Sequence, residues 1–215
     1  PIETVYKTLD ELKNLKPDFI SVTFGAGGSE NSDTTLSIAN RIKTDCGVES
    51  VVHLPCIHLT KEKVTNLLTD FRAAGIENIL ALRGDKVEGK EPCSDFLHAS
   101  DLIKFIKDFD ALNQDSSEQE FNIIGACYPE GHPEASSLID DIKNLKTKVD
   151  AGASQLISQL FFDNNCFYDF LEKTKIAGIN VPIEAGIMPV VNKAQIERMV
   201  SRCGVILPKK YTAMM

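Results

Sequence analysis

Arg83-Gly84-Asp85 follows directly on the apolar run Asn78–Leu82 and brings three chemical properties to one place. Arginine offers a forked donor, glycine lets the main chain approach a ligand, and aspartate fixes a negative charge. The same placement recurs along the chain. Thr23-Phe24-Gly25-Ala26-Gly27-Gly28-Ser29 closes a first run, and His53-Leu54-Pro55-Cys56 a second. Tyr128-Pro129-Glu130-Gly131-His132-Pro133-Glu134-Ala135 follows a fourth. A fifth run carries Gln159, whose amide needs polar partners among apolar neighbours, and a sixth ends in Gly186-Ile187-Met188-Pro189. Asp141, Asn144 and Lys148, at i, i+3 and i+7, share one helix face.

Each cluster also has a plainer explanation. Glu30 breaks the G-x-G-x-x-G pattern, so Gly25–Gly28 read alone is a tight turn. His53, Cys56 and His58 suggest a metal, but strand periodicity sends the two histidines to opposite faces, and no further ligand completes a set. No metal site is expected. His132 opening a helix reads as a capping or surface residue. Arg83 with Asp85 could be a structural ion pair, and Asp141, Asn144 and Lys148 a solvated face. What raises the reading above these is repetition, because six clusters at successive run ends define a rim.

The elements that must position this rim follow from the spacing. The runs Phe19–Phe24, Ser50–Leu54, Asn78–Leu82, Phe121–Cys127, Gln155–Phe162 and Pro182–Ile187 start roughly 33 residues apart, the size of a βαβ unit. Between them Val64, Leu67, Leu68 and Phe71, and then Leu138, Ile142, Leu145 and Val149, form apolar stripes of helical period. Thr60 fits a helix N-cap and Pro133 a first turn. Gly47, Gly75, Gly152, Gly178 and Gly204 stand where helices should end. The polar stretch Asn113–Glu120 reads as a long connection. Alternating strands and helices predict an α/β fold with a parallel sheet, either doubly wound or a (β/α)8 TIM barrel. Ligands then bind beyond the carboxyl ends of the strands. A barrel needs eight strands against six here, so the expectation is one barrel domain over 1–215 with a strand missing at each end. The first residue, Pro1 rather than Met, agrees with a missing beginning, and Tyr211–Met215 fits awkwardly after Lys209-Lys210.

Composition narrows the function. With 43% hydrophobic residues the chain has ample material for a core and is not disordered. Its net charge of −8 argues against a sequence-independent nucleic-acid binder and against a polybasic membrane anchor. No apolar run approaches a membrane span, and no secretory signal is expected. Six widely spaced cysteines without a C-x-x-C pair read as reduced residues of a cytoplasmic protein.

The ordered motifs resemble the methylenetetrahydrofolate reductase family, most closely its bacterial single-domain form. The resemblance is carried by Ser21-Val22-Thr23-Phe24-Gly25-Ala26, His53-Leu54-x-Cys56, Ala81-Leu82-Arg83-Gly84-Asp85, Ala99-Ser100-Asp101-Leu102 and Tyr128-Pro129-Glu130-x-His132-Pro133-Glu134-Ala135. It continues through Asn144-Leu145-Lys146-x-Lys148-Val149-Asp150-Ala151-Gly152-Ala153, Gln159-x-Phe161-Phe162-Asp163 and Gly186-Ile187-x-Pro189-Val190.

The resemblance implies a (β/α)8 barrel holding FAD at its carboxyl rim. It implies hydride transfer from NADH or NADPH to the flavin, then reduction of 5,10-methylenetetrahydrofolate to 5-methyltetrahydrofolate, which serves methionine biosynthesis. Thr23, Phe24, Ala26, His53, Arg83, Gly84, Asp85, Ala99, Tyr128, His132, Ala135, Asp141, Asn144, Thr147 and Lys148 would then surround FAD. Gln159 and Gln195 would contact folate, with Gln159 and Thr23 also near the nicotinamide. Asp85 and Gln159 would be the catalytic residues present, Asp85 also facing substrate. A carboxylate near the flavin's pyrimidine end makes hydride donation easier and favours a cationic form of the substrate.

The family's acid, a Glu in a Phe-Glu-x-Phe-Pro-Pro segment, is not in this chain. Thr147 stands where the family often has Arg, His98 where it often has Tyr, and Met199 where an aromatic often packs on the ligand. Other readings stay open at this point: a flavin-binding subunit that is non-catalytic or depends on a partner supplying electrons, a homo-oligomer, and a Rossmann-type nicotinamide protein.

Overall fold

Near-continuous burial along Val51, Val52 and Leu54, and again along Ile79, Leu80 and Ala81, is the mark of parallel strands covered on both faces. The computed structural model describes residues 2–24, 32–86, 89, 91–113, 119–189 and 192–209, without the side chains at 32, 193, 195, 198, 201 and 202. Its elements are α1 (Ile2–Leu12), a short 3-10 turn (Lys13–Leu15), β1 (Phe19–Val22), α2 (Ser32–Thr44), β2 (Glu49–Pro55), α3 (Lys61–Ala73) and β3 (Asn78–Leu82). They continue with α4 (Ala99–Leu112), β4 (Asn122–Cys127), α5 (Leu138–Asp150), β5 (Gln155–Ser158), α6 (Asn164–Ile176), β6 (Ile183–Glu184) and α7 (Lys193–Cys203).

The six strands follow one another in the sheet in chain order, β1-β2-β3-β4-β5-β6. Pairing is parallel from β1 to β2, from β2 to β3 and from β5 to β6, in registers such as Val22↔Val52, His53↔Leu80 and Leu156↔Ile183. A doubly wound dinucleotide fold reverses its strand order at a switch point. This sheet has no reversal, which removes the Rossmann alternative.

Two compact units divide the chain, Pro1–Ile124 and Gly125–Met215. In the first, Val64, Leu68 and Phe71 of α3 and Leu102, Ile103 and Ile106 of α4 are buried. Asp110, 1% exposed, accepts from Arg72 at 2.7 Å and from the main chain of Phe121 at 3.0 Å. Burial nevertheless pushes its carboxyl above the usual range. The strand starts are polar, with the Asn78 amide donating to Glu49 at 3.3 Å and that of Asn122 donating to Asn78 at 3.0 Å. In the second unit Cys127, Ile142, Leu145, Leu156, Phe170 and Ile179 form the core, with Leu138 and Val149 packed against it. The predicted stripe of α5 is therefore its inner face.

Several boundaries differ from the sequence reading. The fifth run ends as a strand at Ser158, so Gln159 lies just past β5 rather than inside a strand. The cause is local. Ser158 Oγ accepts the N–H of Gly186 at 2.9 Å where the ladder would continue, and Gln159 Oε1 takes the N–H of Leu160 at 2.8 Å. The sixth run shrinks to Ile183–Glu184 for the same reason. Pro133 is not in a helical first turn, because α5 begins at Leu138 behind its N-cap Ser137, whose side chain accepts from Asp140 N. His132 sits in that preceding loop, and His58 in a turn after β2 rather than on a strand face. Thr60 does cap α3, accepting from Lys63 N at 3.2 Å. All five helix-ending glycines have positive φ.

Candidate active site at the carboxyl ends of the strands

In the first unit the site is built on two crossing connections. Cys56 N donates to the carbonyls of Leu82 and Arg83 at 3.0 and 3.1 Å, and Ile57 N to that of Arg83 at 2.8 Å. The loop after β2 is thereby stitched to the loop after β3. Gly84 sits at φ +88°, and a Cβ there would lie 2.9 Å from Pro55 Cβ, so only glycine fits. Arg83 Nε donates to the Gly84 carbonyl at 3.2 Å, and Asp85 is exposed just beyond. Arg83 and Asp85 thus flank a glycine whose main chain is fixed.

His53 lies half-buried on β2, and burial lowers its pKa below the usual 6.5, which keeps the imidazole neutral at pH 7. Ala99 is the buried first residue of α4. The turn before it is anchored by Asp101, which accepts from the main chain of Leu97 and His98 at 3.0 and 2.8 Å. Cys56 Sγ donates to the His98 carbonyl at 3.8 Å, and burial pushes this thiol up to about 12. Thr23 and Phe24 directly follow β1. Ala26, with the rest of its glycine-rich loop, lies outside the described residues.

In the second unit a tight turn follows β4, closed by Gly131 N on the Tyr128 carbonyl at 3.0 Å. It folds the His132 ring edge-on to Tyr128, centroids 4.7 Å apart. His132 N donates to Asp141 at 3.1 Å, Glu134 N to His132 Nδ1 at 3.1 Å, and Ala135 N to the His132 carbonyl at 2.9 Å. Accepting at Nδ1 places the proton of a neutral ring on Nε2. Asp141 is 9% exposed, and burial raises its carboxyl above the usual range against the pull of the His132 N–H and Lys148.

Lys148 Nζ donates to the Ala126 carbonyl at 2.9 Å and lies 5.9 Å from the Tyr128 ring centre. The shared helix face of the sequence reading thus divides. Asp141 and Lys148 turn inward, whereas Asn144 and Thr147 are exposed, with the Thr147 hydroxyl on the Lys143 carbonyl at 3.0 Å.

Gln159 joins this half. Its N–H donates to the Cys127 carbonyl at 2.7 Å, and Gln159 lines a shallow groove with Tyr128, Glu130, Gly204 and Val205. Gln195 lies on α7, its side chain outside the described residues. Among the described residues no group of three or more His, Cys, Asp or Glu could hold a metal. Two residues were missed by the sequence reading. Ser158 sets the end of β5, and Glu130 accepts the N–H of Ile206 at 2.8 Å. Both stood in rim segments, but their partners are remote in sequence.

A family profile described as methylenetetrahydrofolate reductase matches residues 1–215. The chain belongs to the methylenetetrahydrofolate reductase family. It is 39% identical over 213 residues to the 5,10-methylenetetrahydrofolate reductase of Pectobacterium carotovorum, covering 99% of this chain and 67% of that one. Against the Escherichia coli enzyme of the same name it is 39% identical over 206 residues, covering 96% and 66%. The Arabidopsis thaliana methylenetetrahydrofolate reductase (NADH) 1 is 36% identical over 225 residues, covering 99% and 37%. The chain therefore spans about two thirds of the bacterial relatives' length.

Among solved structures, 2,3-dimethylmalate lyase of the PEP mutase/isocitrate lyase superfamily superposes at TM-score 0.58 with 12% identity, covering 89% of this chain and 67% of that one. A Clostridium thermocellum protein that binds two copies of 5-methyl-5,6,7,8-tetrahydrofolic acid superposes at 0.53 with 16% identity, covering 93% and 76%. At these identities the likeness is one of fold.

Proposed function

We propose that this chain is the catalytic part of an NAD(P)H-dependent reductase converting 5,10-methylenetetrahydrofolate to 5-methyltetrahydrofolate, with FAD as its cofactor. The observation that carries the reading is family membership over all 215 residues. The strand order supports a (β/α)8 barrel as the complete architecture and 1–215 as part of one barrel domain. The folate-binding Clostridium protein of similar fold agrees with the substrate class. Six free cysteines suit a reducing compartment, in line with a cytoplasmic enzyme.

The residues present fit FAD. The half-buried Arg83 guanidinium, beside a Gly84 main chain fixed against Pro55, suits a flat polar ring, and the half-buried Lys148 ammonium suits a phosphate. When bound, FAD supplies the hydride relay between nicotinamide and folate. The roles of Thr23, Phe24, Ala26, His53, Arg83, Gly84, Ala99, Tyr128, His132, Ala135, Asp141, Asn144, Thr147 and Lys148 are then to hold it. Among them neutral His53 contributes without a charge, and Asp141 fixes the loop that presents Tyr128 and His132.

Asp85, exposed and carrying no large side chain over it from Gly84, holds a negative charge where positive charge develops on the folate. Gln159 and Gln195 are proposed to contact the folate, with the Gln159 Oε1 already committed to Leu160 N and its NH2 group left to donate. A steady-state assay tests the function. NADH or NADPH oxidation should depend on added methylenetetrahydrofolate and yield 5-methyltetrahydrofolate by chromatography. Oxidation indifferent to the folate, with no product formed, would refute it.

A further inference from the structure

The groove that contains Gln159 has two walls of different origin. One is formed by Tyr128 and Gln159, at the ends of β4 and β5. The other is Gly204 and Val205, main chain that follows α7. The second wall has no strand of its own among the described residues, so something else must hold it.

Three contacts do so. Val205 is 5% exposed and anchors the segment by burial. Gly204 is pressed onto Pro133, where a Cβ would lie 2.8 Å from Pro133 Cγ. The N–H of Ile206 donates to Glu130 Oε2 at 2.8 Å, across 76 residues of sequence. The Ile206 side chain is 67% exposed, so its place is set by the main-chain bond rather than by packing.

Glu130 is an odd choice for stability alone. Its carboxyl is half-buried beside Asp163 and the Cys166 thiol, and among the described residues no Lys or Arg pairs with it. A carboxylate placed near a second carboxylate carries a cost that an apolar residue would not. The turn Tyr128–Gly131 that carries Glu130 also carries Tyr128. One short loop therefore supplies a residue of the first wall and the clamp on the second.

We propose that Glu130 is a positioning residue for the folate: by accepting the Ile206 N–H it holds Gly204–Ile206 opposite Gln159 and sets the width of the substrate groove. This rests on the reading of the Gln159 groove as the folate side of the site. Glu130 acts through the main chain of Gly204–Ile206. Its loss is felt most in folate binding and less in the nicotinamide half of the reaction.

The test uses Glu130→Ala, Glu130→Gln and Ile206→Pro in the enzyme, the last removing the donor from the other side. A hydrogen bond to a charged group is worth about tenfold in an equilibrium constant or more. Glu130→Ala and Ile206→Pro should each raise KM for methylenetetrahydrofolate about tenfold and weaken 5-methyltetrahydrofolate binding by a similar factor. The rate of enzyme reduction by NADH should fall much less. Glu130→Gln keeps an acceptor oxygen and should restore most of the loss. The double variant Glu130→Ala/Ile206→Pro should be no worse than either single one, because both remove the same bond.

An unchanged KM in Glu130→Ala, or additive losses in the double variant, overturns the proposal. So does an equal loss in both half-reactions. If Glu130→Ala does not fold, Ile206→Pro against Glu130→Gln decides by the same criteria. Absence of folate turnover in the parent enzyme refutes the assigned function instead, and is read before any variant.

Discussion

The Asp141 carboxylate on α5 accepts the main-chain N–H of His132 at 3.1 Å, although Asp141 is 9% exposed and the bond reaches out of its helix into the preceding loop. It ties α5 to the loop that carries the ring pair Tyr128–His132. Because burial raises the Asp141 carboxyl, the folded protein holds that proton more tightly than the unfolded chain. The stability contributed by a raised group is present at low pH and lost as pH rises through its folded value. Asp141→Asn keeps an acceptor oxygen without the charge, and should melt no lower than the parent at pH 8. Asp141→Ala leaves the His132 N–H unpaired and should cost about 1–3 kcal/mol. Thermal melts at pH 8 check both, and a clear drop for Asp141→Asn would contradict the argument.

Lys148 Nζ donates to the Ala126 carbonyl, near the end of β4, and lies 5.9 Å from the Tyr128 ring centre. Lys148→Ala should weaken FAD retention about tenfold or more if the ammonium meets a phosphate, as expected for a charge-assisted contact. Flavin release on dilution, followed by fluorescence, measures it. Full retention at high dilution would remove Lys148 from the cofactor site.

Asp85→Asn should slow folate reduction much more than enzyme reduction by NADH, because the lost charge matters most where the substrate becomes positive. Stopped-flow spectroscopy separates the two half-reactions. Equal losses in both would reassign Asp85 to a structural role.

Gly186 approaches the end of β5 so closely that a Cβ would lie 2.2 Å from the Ser158 carbonyl oxygen. The obstacle is main chain and cannot swing away, so Gly186→Ala should destabilise by about 1–3 kcal/mol or more. It should also displace Gln159, the next residue. Denaturant unfolding together with the folate KM tests both, and a parent-like variant would contradict the close approach.

The exposed Asp140 accepts from Ser136 and Ser137 at 2.6 and 2.8 Å and pairs with Lys143 at 3.2 Å, which holds its carboxyl down at about 2. For a depressed acid the stability is present above the unfolded value and lost as pH falls through the folded one. Asp140→Ala should therefore melt below the parent at pH 7, and the gap should close between about pH 4 and 2. A gap independent of pH would show that the capping charge contributes nothing.

What the sequence made legible was whatever repeats locally. The run Asn78–Leu82 became β3 with both ends correct, since burial on two faces writes an uninterrupted apolar stretch. The run to Phe162 was read too long, because Leu160 and Phe161 are buried as a strand would be, yet lie in a loop. An apolar run cannot distinguish those two cases. Helix α2 gave no strong signal because its buried face, Thr35, Ala39 and Ile42, has little apolar bulk. The site residues were legible as types at run ends. Their ties were not. Neither the Glu130 bond to Ile206 nor that of Gly186 to Ser158 leaves a trace in local spacing, since each joins segments far apart in the chain.

The central claim is that the strand ends hold a flavin that passes hydride from nicotinamide to folate. Anaerobic spectrophotometry of the purified enzyme with bound FAD tests it most directly. NADH or NADPH should bleach the flavin absorbance, and methylenetetrahydrofolate added next should restore it with one equivalent of 5-methyltetrahydrofolate formed. A protein that binds no flavin, or one whose bleached flavin is not reoxidised by the folate, would contradict the account.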